Sequence, residues 1–140
     1  MKVEVRYLSK GGNTAKIAEA IASAAGVIAG PITEPVPGDT ELLFVGGAVY
    51  GFDIDDDLKR FIAQLPQSVK SAAVFSTTAA VKSAFPQMSR ALKARGIQVC
   101  EMEFHCRGEF KFMHKGRPNA DDLKNAGEFA RLVLSDGSHR

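Results

Sequence analysis

Strand-like and helix-like hydrophobic patterns alternate along the first half of this chain. "VEVRYL", which begins at Val3, predicts a strand, and Ile17 and Ile21 with several alanines predict a helix that ends near Gly26. "GVIAGPI" is a short strand candidate, and "ELLFVGGAVY" is a continuous apolar run of the kind found in strands covered on both faces. The first half therefore predicts three strands and one helix.

The middle of the chain predicts two more helices and another buried strand. Leu58, Ile62 and Leu65 recur at helical spacing, and Pro66 marks the end of their helix. "SAAVFSTTA" predicts a strand covered on both faces. A third helix is expected over residues 85–95, with a proline in its first turn and a glycine after its end.

The last third of the chain predicts an edge strand and a final helix. "IQVCEMEF" alternates, with Cys100 and Phe104 on one face and Glu103 on the other, which is typical of a half-exposed edge strand. Asn119 is a candidate N-cap for the last helix, because Asp122 follows three residues later. We expect residues 135–140 to form a frayed tail.

The order of these elements predicts an α/β fold. Strands alternate with helices except between the second and third strands, where "TEPVPGDTE" is rich in turn residues and has no helical period. Such an order implies a mostly parallel sheet with helices on both faces, a three-layer α/β/α sandwich. The 140 residues suit a single domain, residues 1–140, with the second crossover helix missing.

Composition and charge argue against several classes of protein. The hydrophobic content of 45% and the charged content of 24% are ordinary for a globular protein, and the net charge of +2 is too small to indicate nucleic-acid binding. The apolar runs are too short for a membrane span, and we expect no signal peptide because the first residues are too polar. Cys100 and Cys106 form no disulfide framework, so we expect a reduced, cytoplasmic setting.

Three loops are candidates for a ligand site. In open parallel sheets, ligands bind beyond the carboxyl ends of the strands. The loops at residues 9–14, 49–53 and 76–81 each follow a predicted strand in this way. The first of them, "SKGGNT", also opens directly into a helix, so its chemistry is the most informative.

The first loop has the composition of a phosphate-binding turn. A helix N-terminus presents N–H groups and positive potential to an anion. Glycines let the backbone approach a ligand closely, hydroxyl and amide side chains supply donors, and a lysine adds positive charge. The residues concerned are Ser9, Lys10, Gly11, Gly12, Asn13 and Thr14. A plain tight turn with a glycine cap is the alternative interpretation.

Known phosphate motifs narrow the ligand of this loop. The nucleoside-triphosphate loop G-x-x-x-x-G-K-[ST] and the dinucleotide fingerprint G-x-G-x-x-G are both absent from the sequence. A C-x5-R phosphatase loop is excluded, because Cys106 and Phe112, rather than an arginine, stand six positions after the two cysteines. A short loop that holds one terminal phosphate remains.

In these features the chain resembles the flavodoxin family. The family's phosphate loop reads [TS]-x-T-G-x-T, and "SKGGNT" matches it at Ser9, Gly12 and Thr14. It departs from the motif at Gly11, which replaces a hydroxyl residue. "GGAVYGFD" resembles the second loop of the family and "FSTTA" the third. "TEPVPGDTE" stands where many relatives carry a second helix.

The resemblance implies a five-stranded parallel sheet of order 2-1-3-4-5 and a bound FMN. The first loop would hold the FMN phosphate, and the second and third loops would flank the isoalloxazine ring. Tyr50 would stack on the ring or, alternatively, stand at its rim. Beyond the first loop, the implied cofactor contacts are Val49, Tyr50, Gly51, Phe52, Asp53, Ser76, Thr77, Thr78 and Ala79. Phe110 or Phe112 is a candidate for the opposite ring face.

Two further stretches have competing interpretations. The four carboxylates within residues 53–57 suit a helix N-terminus, but near a flavin their charge would oppose reduction. In "HCRGEF", Arg107 is a candidate contact for an acidic substrate or partner and Gly108 permits a tight turn, whereas the alternative is a surface loop around a buried Cys106. The histidines show no metal-ligand spacing, so we assign no metal and no catalytic residue.

Three functions are consistent with these observations. The leading hypothesis is an FMN-binding redox protein that transfers electrons between partner proteins. Electron carriers of the family are typically acidic, whereas the pI here is 8.6, so an FMN-dependent NAD(P)H:quinone-type oxidoreductase is the alternative. A cofactor-free interaction module is the third, because Gly11 withholds a side-chain donor. The expected partners are redox proteins or a small acceptor such as a quinone, with no nucleic acid and no membrane.

Overall fold

Within residues 1–50, 53–79, 83–109 and 114–136, which the computed structural model describes, the chain forms seven strands and four helices. The strands are β1 (Val3–Tyr7), β2 (Ala29–Pro31), β3 (Leu42–Tyr50), β4 (Asp53–Ile54), β5 (Ser71–Thr78), β6 (Gln98–Val99) and β7 (Phe104–Arg107). The helices are α1 (Asn13–Ala25), α2 (Asp56–Ala63), α3 (Phe85–Ala94) and α4 (Ala120–Ser135). None of these four helices is long and apolar enough to cross a membrane.

The main sheet has the order β2-β1-β3-β5-β6, and each neighbouring pair is parallel. β7 also pairs with β5 in parallel, farther along the same edge, and β4 pairs antiparallel with the end of β3. β6 and β7 both pair with the same edge of β5 and together occupy the fifth position of the sheet. With β5 counted as the fourth strand, the expected order 2-1-3-4-5 is confirmed. Helices α1 and α4 cover one face and α2 and α3 the other, which confirms the three-layer α/β/α sandwich.

The prediction of one continuous edge strand over "IQVCEMEF" is wrong, because the structure divides it into β6 and β7. Val99 lies opposite Ala72 of β5, and Phe104 lies opposite Phe75. From Val99 to Phe104 the edge advances by five residues, whereas β5 advances by three from Ala72 to Phe75. The two extra residues at the edge interrupt the pairing. The hydrophobic alternation continues through the interruption, so the sequence pattern does not reveal it.

The helix ends follow local capping chemistry. α1 ends at Gly26, which has a left-handed φ of 74° that favours glycine. At the start of α4, Asn119 Oδ1 accepts from the N–H of Asp122 at 3.0 Å, and Asp122 Oδ2 accepts from the N–H of Asn119 at 2.8 Å. The predicted N-cap is therefore confirmed as a reciprocal capping box. Ser135 is the last residue of α4, and residues 137–140 of the expected tail lie outside the described residues.

The two central strands are covered on both faces, as their continuous apolar runs predicted. In β3, Leu42 and Phe44 pack with α1 and α4, whereas Leu43 and Val45 pack with α2 and α3. All eight residues of β5 are buried. Because both strands are held from two sides, the loops that follow their carboxyl ends start from fixed positions.

The connection between β2 and β3 contains no helix in the structure, as its turn-rich sequence predicted. Arg6 of β1 holds it instead: its guanidinium donates to the carbonyl oxygens of Glu34 at 3.1 Å and Pro35 at 2.8 Å. The same guanidinium pairs with Glu4 at 3.1 Å, and Arg6 is only 6% exposed. A buried arginine therefore anchors the segment that stands in the place of the crossover helix.

Candidate functional site

The three candidate loops meet at one edge of the sheet. β1 pairs with β3, and β3 pairs with β5, all in parallel. The carboxyl ends of the three strands therefore lie side by side, and α1, β4 and the segment before α3 follow them. This is the position at which open parallel sheets bind ligands.

The first loop ends in a tight turn that leads into α1. Gly12 has a left-handed φ of 89°, which non-glycine residues rarely adopt, and its N–H donates to Ser9 Oγ at 3.1 Å. A Cβ at Gly11 would meet no atom within 4 Å, and its φ is not left-handed. The turn therefore requires glycine at position 12. At position 11, where the chain departs from the family motif, a Cβ would meet only open space.

The N-terminus of α1 fits a phosphate group. Within the described part of the chain, no side chain caps this helix end, and its first turn contains no acidic residue. The first N–H groups of a helix have no partner within the helix, and they carry the positive end of its dipole. Together with Lys10, they form a set of cationic and N–H donors that suits a phosphate monoester.

A buried hydroxyl pair joins the first loop to the third. Thr14 Oγ1 lies 2.8 Å from Thr77 Oγ1, and the two residues are 1% and 3% exposed. One hydroxyl donates to the other, so the accepting hydroxyl keeps its own proton for a further partner. The pair fixes the start of α1 against the carboxyl end of β5.

An ion pair joins the first loop to the start of α2. Lys10 Nζ lies 2.6 Å from Asp55 Oδ2, and Asp55 Oδ1 accepts from the N–H of Asp57 at 2.8 Å. The hydrogen bond from Lys10 is the main reason why the pKa of Asp55 lies below its usual range. Asp55 is also the N-cap of α2, which confirms the capping interpretation for this carboxylate.

The second loop follows β3 as a short hairpin with β4, which the sequence pattern does not predict. Tyr50 pairs with Asp53 and Val49 with Ile54 across β3 and β4. Val49 is 7% exposed and packs in the core. Gly51, Phe52 and the side chain of Tyr50 lie outside the described residues, and so do Phe110 and Phe112.

The third loop is anchored at both ends. Ser76 is fully buried, and its Oγ accepts from the N–H of Ala84 at 3.2 Å. The carbonyl oxygen of Ala79 accepts from Arg107 Nη1 and from His114 Nε2, each at 3.0 Å. Thr78 is 3% exposed and Ala79 is half-buried, so of these two residues only Ala79 is accessible at this strand end.

The carboxylates within residues 53–57 are paired with cations. Lys59 lies 2.6 Å from Asp53 and 3.8 Å from Asp56, and Arg60 pairs with Asp57. Asp53 belongs to β4 rather than to the helix, and Lys59 chiefly lowers the pKa of its carboxyl. Because each carboxylate has a positive neighbour, the negative field that the sequence alone suggests is largely balanced.

Several contacts at this edge are not visible in the sequence pattern. Asn13 Nδ2 donates to the carbonyl oxygen of Glu109 at 3.0 Å, and Arg107 and His114 contact Ala79. Each of these contacts ends on a backbone carbonyl, which every residue possesses. Gly108 is the one residue in the sequence that suggests that this segment contacts the ligand edge, because it permits a tight turn shortly after the last predicted strand.

The cysteines and histidines supply no second centre among the described residues. Cys100 and Cys106 are free and buried, and burial is the main reason why the pKa of Cys106 is raised to about 12 and that of Cys100 is raised as well. Such thiols are poor nucleophiles at neutral pH. No group of three or more metal-ligating side chains occurs in the described ranges.

Comparison with known proteins gives one related sequence and many similar structures. No family model matches the chain. Uncharacterized protein MJ0298 of Methanocaldococcus jannaschii is 31% identical over 137 residues, which cover 89% of this chain and 91% of that protein. The two chains are therefore similar along nearly their whole lengths.

Two solved flavodoxins have the same arrangement of elements. A flavodoxin from the domain Archaea superposes with a TM-score of 0.79 at 19% identity, covering 95% of this chain and 96% of that one. Oxidised flavodoxin 2 from Bacillus cereus gives a TM-score of 0.73 at 16% identity, covering 96% and 98% of the two chains. These superpositions show a flavodoxin-like fold.

Proposed function

We propose that this chain, which has a flavodoxin-like fold, binds FMN and transfers electrons between redox partner proteins. The observation that carries the proposal is the start of α1, where a left-handed Gly12 and an uncapped helix N-terminus, as far as the structure describes it, stand at the carboxyl edge of the sheet. A phosphate at this point would satisfy N–H groups that the protein leaves available. FMN is the flavin that carries such a terminal phosphate.

The first loop would hold the phosphate, with its residues in different roles. The N–H groups that follow Gly12 would donate to the phosphate oxygens, and Lys10 would contribute charge while paired with Asp55. Thr14 would keep the helix start in place through its buried hydroxyl pair with Thr77. The backbone N–H groups therefore compensate for the hydroxyl that Gly11 lacks.

The second and third loops would flank the isoalloxazine ring. The β3–β4 hairpin would cover one side, with Tyr50 as the proposed stacking residue, and the backbone near Thr78 and Ala79 would meet the polar edge. Bound FMN supplies one-electron and two-electron redox chemistry, whereas the protein supplies binding, orientation and electrostatics. The pairing of Asp53 and Asp55 with lysines limits their opposition to the negative charge of a reduced ligand.

A fluorescence titration tests FMN binding directly. The purified protein, freed of any bound flavin, is added to a fixed concentration of FMN, and the flavin emission is followed. We expect saturable quenching with one FMN per chain and a shifted flavin absorption band. Unchanged emission and absorbance at a large excess of protein would contradict the proposal and favour the cofactor-free alternative.

A turnover assay separates the carrier from the oxidoreductase. The FMN-loaded protein is mixed with NADPH or NADH and a soluble quinone, with and without a flavodoxin reductase. We expect reduction only when the reductase is present, because the carrier proposal assigns no nicotinamide site to this chain. Steady turnover by the protein alone would replace the carrier proposal by the quinone oxidoreductase.

A further inference from the structure

The short segment that follows β7 lies against two of the three candidate loops. The N–H of Gly108 donates to the carbonyl oxygen of Thr78 at 3.1 Å, which continues the β5–β7 pairing by one residue. The carbonyl oxygen of Glu109 accepts from Asn13 Nδ2 at 3.0 Å. The segment therefore contacts both the start of α1 and the carboxyl end of β5.

Gly108 lies close to both Asn13 and Thr77. It is buried, and a Cβ placed on it would lie 3.0 Å from Asn13 Nδ2, 3.4 Å from Asn13 Cβ and 3.3 Å from Thr77 Cβ. Its φ lies outside the left-handed region, so available space rather than backbone conformation explains the glycine. Any larger residue would push on Asn13, on Thr77 or on both.

The segment is held from its other side, so it cannot easily move away. The N–H of Glu109 donates to the carbonyl oxygen of Arg117 at 2.8 Å, and Glu109 Oε1 accepts from the N–H of Gly116 at 2.8 Å. Arg117 is in turn bound by Asp122 of α4 through two hydrogen bonds of 2.6 and 2.8 Å. Extra volume at position 108 would therefore be relieved mainly by displacing the Asn13 amide.

We propose that Gly108 is a positioning residue for FMN, which leaves room for the Asn13 amide beside Thr77 and thereby sets the geometry of the phosphate loop. This proposal rests on the proposed function. Asn13 is the first residue of α1, so a displacement of its side chain is transmitted to the helix N-terminus. A fourth segment, after β7, thus contributes to a site that the sequence assigned to three loops.

The test compares Gly108→Ala with Gly127→Ala, which makes the same chemical change in α4. A Cβ at Gly127 would lie 3.7 Å or more from its neighbours, an ordinary contact. FMN affinity is measured by fluorescence titration of the flavin-free proteins. We expect Gly108→Ala to raise the dissociation constant about tenfold and Gly127→Ala to change it less than about twofold. An unchanged affinity in Gly108→Ala would overturn the proposal.

A double-mutant cycle with Asn13→Ala shows whether the effect passes through the amide. Once the amide is absent, adding Gly108→Ala should weaken FMN binding by no more than about threefold further. The visible circular dichroism of bound FMN should change in Gly108→Ala and agree between Asn13→Ala and the double variant. Additive losses would overturn the proposed route.

The experiment distinguishes a folding defect of Gly108→Ala, a failure of the proposed function and a failure of this inference. If Gly108→Ala does not fold, the double variant, in which the nearest atom is removed, is expected to fold and to match Asn13→Ala in FMN affinity. A wild-type protein that binds no FMN would overturn the proposed function and this inference with it. If the wild-type protein binds FMN and Gly108→Ala binds it with the same affinity, this inference alone is overturned.

Discussion

Single hydroxyl groups decide much of the geometry at the carboxyl edge of the sheet. Thr14 and Thr77 are almost wholly buried and each is the hydrogen-bond partner of the other. Removing one hydroxyl leaves the other unsatisfied in a buried position, which typically costs about 1–3 kcal/mol. The pair also holds the first N–H groups of α1 in the direction of the proposed phosphate.

Thr14→Val tests this pair, because valine keeps the volume and the branched shape of threonine. We expect the free energy of unfolding to fall by about 1 kcal/mol and FMN affinity to fall about tenfold, since the hydroxyl pair that positions the start of α1 is lost. Urea unfolding of the flavin-free protein and fluorescence titration with FMN measure the two effects separately.

Thr40→Val is the matched control for that substitution. Thr40 is 1% exposed and its Oγ1 donates to the carbonyl oxygen of Pro37 at 2.7 Å, in the connection between β2 and β3. It should lose a similar amount of stability and keep wild-type affinity for FMN. Wild-type affinity in Thr14→Val would show that the hydroxyl does not contribute to the site.

At the residue scale, the sequence identifies side chains with a recognisable chemical role and misses partners that act through the backbone. Ser9, Gly12 and Thr14 are visible in the motif, and the structure finds them in one turn and at the start of one helix. The sequence marks Arg107 only as a candidate contact for an acidic group, and it does not reveal that Arg107 and His114 donate to the carbonyl oxygen of Ala79. Such contacts depend on chain geometry alone.

Among the elements, the connection between β2 and β3 depends on one buried arginine. Arg6 donates to two carbonyl oxygens of this connection and pairs with Glu4, whose side chain is 19% exposed. Hydrogen bonds to a charged group contribute about 1.5–3 kcal/mol each, and their loss would leave the partly buried carboxylate of Glu4 without its cation.

Arg6→Met tests the anchor, since methionine fills much of the volume without charge. We expect the free energy of unfolding to fall by about 2–4 kcal/mol, measured by urea unfolding. Lys2→Met is the control, because Lys2 pairs with Asp39 of the same connection at 2.9 Å but both side chains are exposed. A surface pair of this kind contributes less than about 1 kcal/mol. Equal losses in the two variants would refute the special role of Arg6.

The start of α4 makes stability depend on acid pH. The pKa of Asp122 lies below its usual value of 3.8, chiefly through the hydrogen bonds from Arg117 and with help from the N–H of Asn119. A carboxyl whose pKa is lowered on folding stabilises the protein above its unfolded pKa, and this contribution is lost as the pH falls through the folded pKa. The free energy of unfolding should therefore decline below about pH 4.

Asp122→Asn should remove that part of the pH dependence and lower stability at pH 7 by about 1 kcal/mol, because the capping box is weakened. Thermal unfolding between pH 2.5 and pH 7 measures both effects. Asp121→Asn, an exposed residue in the same helical turn, serves as the control and should follow the wild-type curve closely. A wild-type pH slope in Asp122→Asn would contradict the assignment.

Among the elements, the sequence predicts helix ends best, because particular residue types are strongly preferred at those positions. Gly26 ends α1 and Asn119 begins α4, and both follow from capping preferences. The interruption between β6 and β7 could not be predicted, because it depends on the pairing with β5 rather than on the alternation of the strand itself. The short β4 was missed for the same reason, since it exists only as a partner of the end of β3.

For the whole molecule, the strand order depends on information that local patterns do not contain. Alternating strands and helices predict a parallel sheet, but the order 2-1-3-4-5 came from the family resemblance. The structure adds how the parts are joined: Lys10 with Asp55, Thr14 with Thr77 and Asn13 with Glu109 connect the first loop to three other segments. These connections give the carboxyl edge a defined geometry that a ligand can exploit.

Binding of the FMN phosphate at the N-terminus of α1 is the proposal on which the other site assignments depend. Calorimetric titration of the flavin-free protein with FMN and with riboflavin, which has the same ring but no phosphate, tests it most directly. We predict that FMN binds at least about a hundredfold more tightly, since charge-assisted hydrogen bonds to a phosphate contribute about 3 kcal/mol or more in total. Equal affinities for the two flavins, or no binding of either, would contradict the claim.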